Sequence, residues 1–143
     1  MNNKLYIIAE IGNNHQGSLK HALELIKAAK DAGASAVKTQ KRDNKNLYTK
    51  SFFNEKYNNP NSFGETYGLH REKLELKKND YKEMIDYAKE LKIDFFATPF
   101  DLYSLEFLEQ FNLPCYKIAS ADITNDILQT EIAKTKKEIF LST

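Results

Sequence analysis

The chain has one cysteine, Cys115, which excludes an intramolecular disulfide and a zinc site built on several cysteines. It lies in an apolar run between Pro114 and Tyr116, the setting of a buried structural thiol rather than a nucleophile. An excess of charge is missing too. The 21 Lys and Arg and 20 Asp and Glu leave a formal net charge of +1, which offers no electrostatic basis for binding nucleic acid or an anionic membrane. No apolar run is long enough to span a bilayer, and Leu5 to Ala9 falls short of the ~7–15-residue core of a signal peptide, so the expected location is cytoplasmic. His15, His21 and His70 show no metal-pair spacing, and no metal ligand is assigned within this chain. Gly12 and Gly17 do not make the G-x-G-x-x-G turn of an open dinucleotide-binding sheet. There is no internal sequence repeat.

What is present is a regular alternation. With 41% hydrophobic and 29% charged residues, 143 residues make one ordinary folded domain. Leu5 to Ala9 is a continuous apolar run, the pattern of a strand buried on both faces. Ser18 is placed to cap a helix carrying Leu19, Ala22, Leu23, Ile26 and Ala29 on one side, and Gly33 stops it. Ala34 to Gln40 predicts the second strand. Further on, Tyr81, Met84, Ile85, Ala88 and Leu91 form a second one-sided helix, followed by a strand over 93–98. Asp101 caps a helix through Leu102, Leu105 and Leu108 that Asn112 ends. Cys115 to Ala119 is strand four, Thr124 or Asn125 opens a weaker helix with Leu128 and Ile132, and Glu138 to Leu141 is strand five.

Lys41 to Leu76 breaks that rhythm. It is rich in Asn, Lys, Tyr and Phe, and irregular stretches beyond ~12–15 residues inside a domain are usually functional or disordered. Its aromatics argue against disorder and predict an ordered flap with a short helix. The order as a whole predicts an α/β fold with about five parallel strands and right-handed crossovers. Between an open sheet and a barrel, polar groups at nearly every strand end favour the N-terminal portion of a (β/α)₈ TIM barrel, incomplete because a full barrel takes ~250 residues.

Those strand ends define the candidate site. Glu10 closes the first strand, where an acid is expensive to bury without a partner or a task. Lys38 and Lys117 follow apolar runs at two strand ends, with Thr98, Ser120, Ser142 and Thr143 as neutral donors, a set suited to a phosphate or carboxylate. A lysine stem packed on the sheet with its amine in solvent is the competing reading. Glu10 and Asp122 stand where a carboxylate can transfer protons or grip sugar hydroxyls, although capping also explains Asp122. Gln40 and the pair Asn13 and Asn14 can read hydroxyls and amides, or serve as turn residues. His21 lies on an outer helix face, whereas His15 and His70 each have access to a site.

The segments Ile8 to Ser18, Val37-Lys38-Thr39-Gln40, Ala97-Thr98-Pro99-Phe100, Tyr116 to Asp122 and Leu141-Ser142-Thr143 together resemble the sialic acid synthase family, comprising N-acetylneuraminate synthases and their legionaminic and pseudaminic acid relatives. The resemblance runs in order from Tyr6 to the last residue, and Tyr67-Gly68-Leu69-His70-Arg71 resembles the subgroup that includes the vertebrate enzymes. It implies a barrel synthase domain over 1–143 with the flap at about 41–76, the second barrel half and an antifreeze-like C-terminal domain lying beyond it. It implies condensation of phosphoenolpyruvate with an N-acylated amino sugar, N-acetylmannosamine or a relative, to a nonulosonic acid and phosphate. By the same resemblance, Lys38, Thr98, Lys117, Ser120 and Ser142 match phosphoenolpyruvate-binding positions. Glu10 and Asp122 match catalytic acids, and Glu10, Gln40, His70 and Arg71 fall on the sugar side. Asp122 stands where many members carry glutamate, and Ala119 and Ala121 where many carry glycine. A divalent cation, Mn²⁺ or Mg²⁺, and a homodimer are implied for the full-length protein, with most metal ligands outside this chain.

Two other readings remain at this point. One is a Schiff-base aldolase using Lys38 or Lys117, since burial depresses a lysine pKa. The other is a truncated homologue that only binds ligand.

Overall fold

A computed structural model describes residues 5–143. Five parallel strands, β1 (Ile8–Glu10), β2 (Ala36–Lys41), β3 (Asp94–Pro99), β4 (Cys115–Ile118) and β5 (Glu138–Leu141), pair in sequence order. The crossovers are α1 (Leu19–Asp31) after β1, α5 (Lys78–Glu90) before β3, α6 (Leu102–Glu109) before β4 and α7 (Asp126–Lys134) before β5. Parallel neighbours joined by helices are the βαβ arrangement read from the sequence.

The caps behave as their residue types require. Ser18, Asp101 and Asn125 accept backbone N–H groups of the first turns of α1, α6 and α7. Asp80 reaches back to accept the Lys77 N–H at 2.7 Å, anchoring the start of α5. Gly33 and Asn112 follow helix ends with positive φ, which glycine and asparagine tolerate.

Alternation along the strands separates two cores. Val37, Phe95, Ala97, Tyr116 and Ile118 face the helices and pack with Ile26, Met84, Leu108, Leu128 and Ile132. Each fully buried aliphatic side chain there contributes about 1.5–3 kcal/mol relative to exposure. On the opposite, concave face, Ala36, Phe96 and Cys115 form a second, smaller cluster against Ile8 and Phe140. The sheet curls enough that the Tyr6 ring, ahead of the first strand, stacks on Phe140 of the fifth at 6.2 Å, while its hydroxyl donates to Asp94 at 2.6 Å. This is a curled half-barrel with a packed apolar floor.

Two expectations need correction. The first strand begins at Ile8, and Leu5, Tyr6 and Ile7 are exposed instead of buried on both faces. An edge strand has one hydrogen-bonded neighbour, so its leading residues lack the second flank that a continuous apolar run implied. The segment after β2 holds three short helices rather than one: α2 (Asn44–Leu47), α3 (Lys50–Phe53) and α4 (Tyr67–Lys73). Their caps, Asp43, Thr49 and Thr66, each take a backbone N–H, and Tyr48, Phe52, Tyr57 and Tyr67 pack edge-on or tilted around one another. Gly68 is obligatory in this packing, because a Cβ there would overlap the Phe53 ring.

Candidate active site

One layer above the apolar floor, the same strand faces become polar. Two residues past Ile8 is Glu10, past Ala36 is Lys38, past Phe96 is Thr98, past Cys115 is Lys117, and past Phe140 is Ser142. Period-two alternation returns each residue to the face of its floor neighbour, so five segments far apart in sequence raise a polar ring over one apolar layer.

The ring is wired together on one side. Glu10 and Lys38 are register partners across β1 and β2, and they form an ion pair. Lys38 Nζ also donates to Thr98 Oγ1 at 3.0 Å and to the Thr39 carbonyl at 3.3 Å. Lys38 is 5% exposed, whereas the Glu10 side chain is 42% exposed, so the cation is the buried member and the acid faces the open mouth. Burial holds the Lys38 ammonium below its ordinary pKa; Glu10 partly restores it, and the charges of Lys117 and Arg42 push it down further. Glu10 is fixed from the other side as well, since its Oε1 accepts the Gly12 N–H at 2.7 Å.

Lys117 is half-buried on β4, its ammonium donating among the described residues only to the Ile118 carbonyl at 3.3 Å. Ser142 follows β5, its N–H closing on the Ile118 carbonyl at 3.1 Å. Ser120 and Asp122 occupy a short 3₁₀ turn after β4 (Ser120–Asp122) rather than the strand itself. Asp122 Oδ1 accepts from Asn125 Nδ2 at 3.3 Å, while Oδ2 is buried with no hydrogen-bond partner among the described residues. The capping explanation for Asp122 fails, because Asn125 is the residue that caps α7.

Gln40 lies one step further up β2. Its Oε1 accepts from Arg42 at 2.7 Å and from Asn13 at 3.3 Å, and its backbone carbonyl accepts from the Tyr81 hydroxyl at 3.0 Å. Asn13 therefore serves the site through Gln40. His15 is 2% exposed beneath the same loop, its Nδ1 accepting the Gly17 N–H at 3.1 Å; burial lowers its pKa to about 4 despite the nearby Glu10 charge. His70 is placed in the aromatic cluster of the flap, between Tyr57 and Phe63, with Nδ1 taken by the Phe63 N–H at 3.1 Å. Arg71 lies close enough to Arg42 to depress its pKa after burial has done so. Arg42 escaped the sequence reading, because its proximity to Arg71 spans 29 positions of aperiodic chain.

Among the described residues no group of three or more His, Cys, Asp or Glu side chains is arranged to hold a metal ion. A cleft of about 440 Å³ between α6 and α7, lined by Leu102, Glu106, Glu131 and Lys134, lies on the outer face and contains no strand-end residue.

Comparison with known proteins decides the lineage: the profile of the NeuB family matches residues 25–143. The chain belongs to the NeuB family. Over 139 residues it is 42% identical to an N-acetylneuraminate-9-phosphate synthase of Drosophila melanogaster, covering 97% of this chain and 37% of that protein. It is 40% identical over 141 residues to an N,N'-diacetyllegionaminic acid synthase of Campylobacter jejuni, covering 98% of this chain and 42% of the relative. The chain thus spans about two-fifths of the curated relatives it matches. A crystal structure of an N-acetylneuraminic acid synthetase from Leptospira borgpetersenii, in complex with citrate, superposes with a TM-score of 0.79 at 32% identity, over 98% of this chain and 45% of that one. The (β/α)₈ character of the NeuB half-barrel follows from that likeness together with the curled parallel sheet.

Proposed function

We propose that this NeuB-family chain supplies part of an active site that condenses phosphoenolpyruvate with an N-acylated amino sugar, giving a nonulosonic acid and phosphate. The observation that carries the reading is the Lys38 and Lys117 pair on one face with Thr98, answered by a single acid, Glu10. A surplus of partly buried positive charge is unfavourable alone and is relieved by an anion, which phosphoenolpyruvate provides as both phosphate and carboxylate. Ser120 and Ser142 add hydroxyl donors from the neighbouring segments. The names of the relatives support the product class, and they divide over whether the product carries a phosphate.

In the proposed reaction C3 of phosphoenolpyruvate attacks the aldehyde carbon of the open-chain sugar, forming the new C–C bond. The aldehyde oxygen takes up a proton. Water then adds at C2 and loses a proton, and the tetrahedral intermediate expels inorganic phosphate by C–O cleavage. Glu10, held between Gly12 and Lys38 and open on its outer side, is assigned to the sugar end as orienting group and proton carrier. Asp122, with its unpartnered buried oxygen, is assigned the second acid role. Gln40, Arg71 and His70 form the sugar side with the flap. A divalent metal, Mn²⁺ or Mg²⁺, and a homodimer belong to the reading of the complete protein. The described residues do not gather a metal-ligand set, so no step is assigned through the ion.

A second reading, Schiff-base chemistry at Lys38, draws on its depressed pKa. The ion pair with Glu10 opposes it, because it favours the amine as an ammonium. In the full-length protein with Mn²⁺, phosphate release from phosphoenolpyruvate should require an amino sugar. Release without sugar, or none with N-acetylmannosamine, its 6-phosphate or a diacetamido sugar, defeats the proposal. Borohydride trapping with pyruvate should give no adduct, whereas a covalent adduct on Lys38 selects the second reading.

A further inference from the structure

The chain leaving β2 is held by two carboxylates that stand outside the polar ring. Glu75, shortly past α4, closes the flap at its base. Its Oε2 accepts Lys41 Nζ at 2.8 Å and the Arg42 N–H at 3.4 Å, and both side chains of the ion pair are only 13% exposed. Asp101, shortly past β3, accepts the Asp43 N–H through Oδ2 at 2.8 Å. The same Oδ2 accepts the Ser104 hydroxyl at 2.8 Å, while Oδ1 accepts the Ser104 N–H at 2.7 Å as the cap of α6. Phe100 adds a third hold, its N–H donating to the Lys41 carbonyl at 3.1 Å.

Capping accounts for only part of Asp101. A single oxygen suffices for a cap, and serine or asparagine supplies it equally well. The other oxygen reaches across 58 positions of sequence to Asp43. Stability alone does not account for the Lys41–Glu75 pair either, because an apolar pair of similar volume is often as stable as a buried ion pair. What the two acids share is the residue between their contacts. Arg42 has its guanidinium 3.6 Å from the Phe100 ring centroid and donates to Gln40 Oε1 at 2.7 Å. Arginine has many rotamers, so its grip on an amide depends on a fixed backbone and a fixed ring beneath it. Gln40 is also the register partner of Thr98, so the turn that ends β3 steadies the side chain next to its own strand.

We propose that Glu75 and Asp101 are positioning residues which, acting through Arg42, hold the Gln40 amide in place for the sugar. The proposal rests on the condensation described above, and neither carboxylate is assigned a contact with substrate.

The test uses the full-length protein with Mn²⁺. Asp101→Asn keeps an oxygen for the α6 cap but sets an amide N–H₂ against the Asp43 N–H, so the helix is retained and the hold is lost. Glu75→Gln removes the charge that pairs Lys41 with little change in shape. Each should raise KM for the amino sugar about tenfold, the worth of one charge-assisted hydrogen bond, and leave KM for phosphoenolpyruvate unchanged. Neither should add to the loss caused by Gln40→Ala, because all three act on one amide. An equal rise in both KM values, or a loss additive with Gln40→Ala, assigns the acids a merely structural role and overturns the proposal. Hydrogen exchange separates this from failure of the condensation itself. The Asp43 amide should exchange about tenfold faster in Asp101→Asn while α6 keeps its protection. That result upholds the hold on the β2 exit even in a protein that releases no phosphate, and unchanged exchange at Asp43 refutes it.

Discussion

The carbonyl of Lys73, at the end of α4, occupies the space where a β-carbon on Gly17 would stand. Gly17 also has a φ of +72°, in the left-handed region. The loop that follows Glu10 and the last flap helix are therefore seated directly on each other, with no room for a side chain between them. Gly17→Ala should destabilise the fold by roughly 2–4 kcal/mol, combining backbone strain with overlap. Gly33→Ala is the control: its φ is +84°, but an added Cβ meets nothing within 4 Å, so it should lose about 1 kcal/mol. Urea denaturation of the two variants reads the difference, and equal losses would show that the flap does not rest on this loop.

A second glycine guards Glu10, the acid assigned to the sugar end in the proposed reaction. A Cβ on Gly12 would stand 2.6 Å from Glu10 Oε1 and 2.8 Å from Gln40 Cγ. Gly12→Ala should displace the Glu10 carboxylate from Lys38, with a stability loss of about 1–3 kcal/mol. Its effect on kcat should be strongly non-additive with Glu10→Gln, because both remove the same interaction. Additive losses in the double variant would separate Gly12 from Glu10.

His15 gives the fold an acid limit. Its pKa is about 4 in the folded chain against an ordinary value of 6.5. Burial keeps the imidazole neutral, so the unfolded chain binds a proton that the folded chain refuses. Stability is complete above about pH 6.5 and declines as pH falls from there toward 4, by up to about 3 kcal/mol. His15→Asn should flatten the stability profile over that interval; an unchanged slope assigns the acid sensitivity elsewhere.

Lys38 and Lys117 should separate in their effects on ligand binding. Lys38→Met removes the buried cation that holds Glu10 and Thr98, and Lys117→Ala removes one that no acid pairs among the described residues. Each should weaken phosphoenolpyruvate binding by about ten- to a hundredfold, and Lys117→Ala should spare sugar affinity relative to phosphoenolpyruvate affinity. Titration of each substrate separately checks this. A Lys117→Ala variant that loses the sugar preferentially would place the anion site wrongly.

The features legible in the sequence were those written locally. Ser18, Asp101 and Asn125 announce helix starts because a cap acts on N–H groups within three residues. Glu10, Lys38 and Thr98 could be grouped because each ends an apolar run, and the ion pair and hydrogen bond join them in space. The floor formed by Ile8, Ala36, Phe96, Cys115 and Phe140 was hidden, since one residue from each of five strands leaves no local period. The length of β1 was overread because burial depends on neighbours that hydrophobicity does not specify. The flap's three helices are too short to display a hydrophobic repeat.

Gln40 has a consequence for what a bound molecule must present. Arginine can only donate, so the atom that Arg42 and Asn13 approach is the amide oxygen, and the side chain cannot be reversed. With its oxygen occupied twice, Gln40 retains its two N–H groups for a ligand. On the proposed reading it would select for an acceptor, such as the carbonyl of an N-acyl group, and a ligand offering only a donor at that point would find no counterpart. The orientation of one amide, fixed by a neighbouring guanidinium, thereby becomes part of the proposed recognition of the sugar.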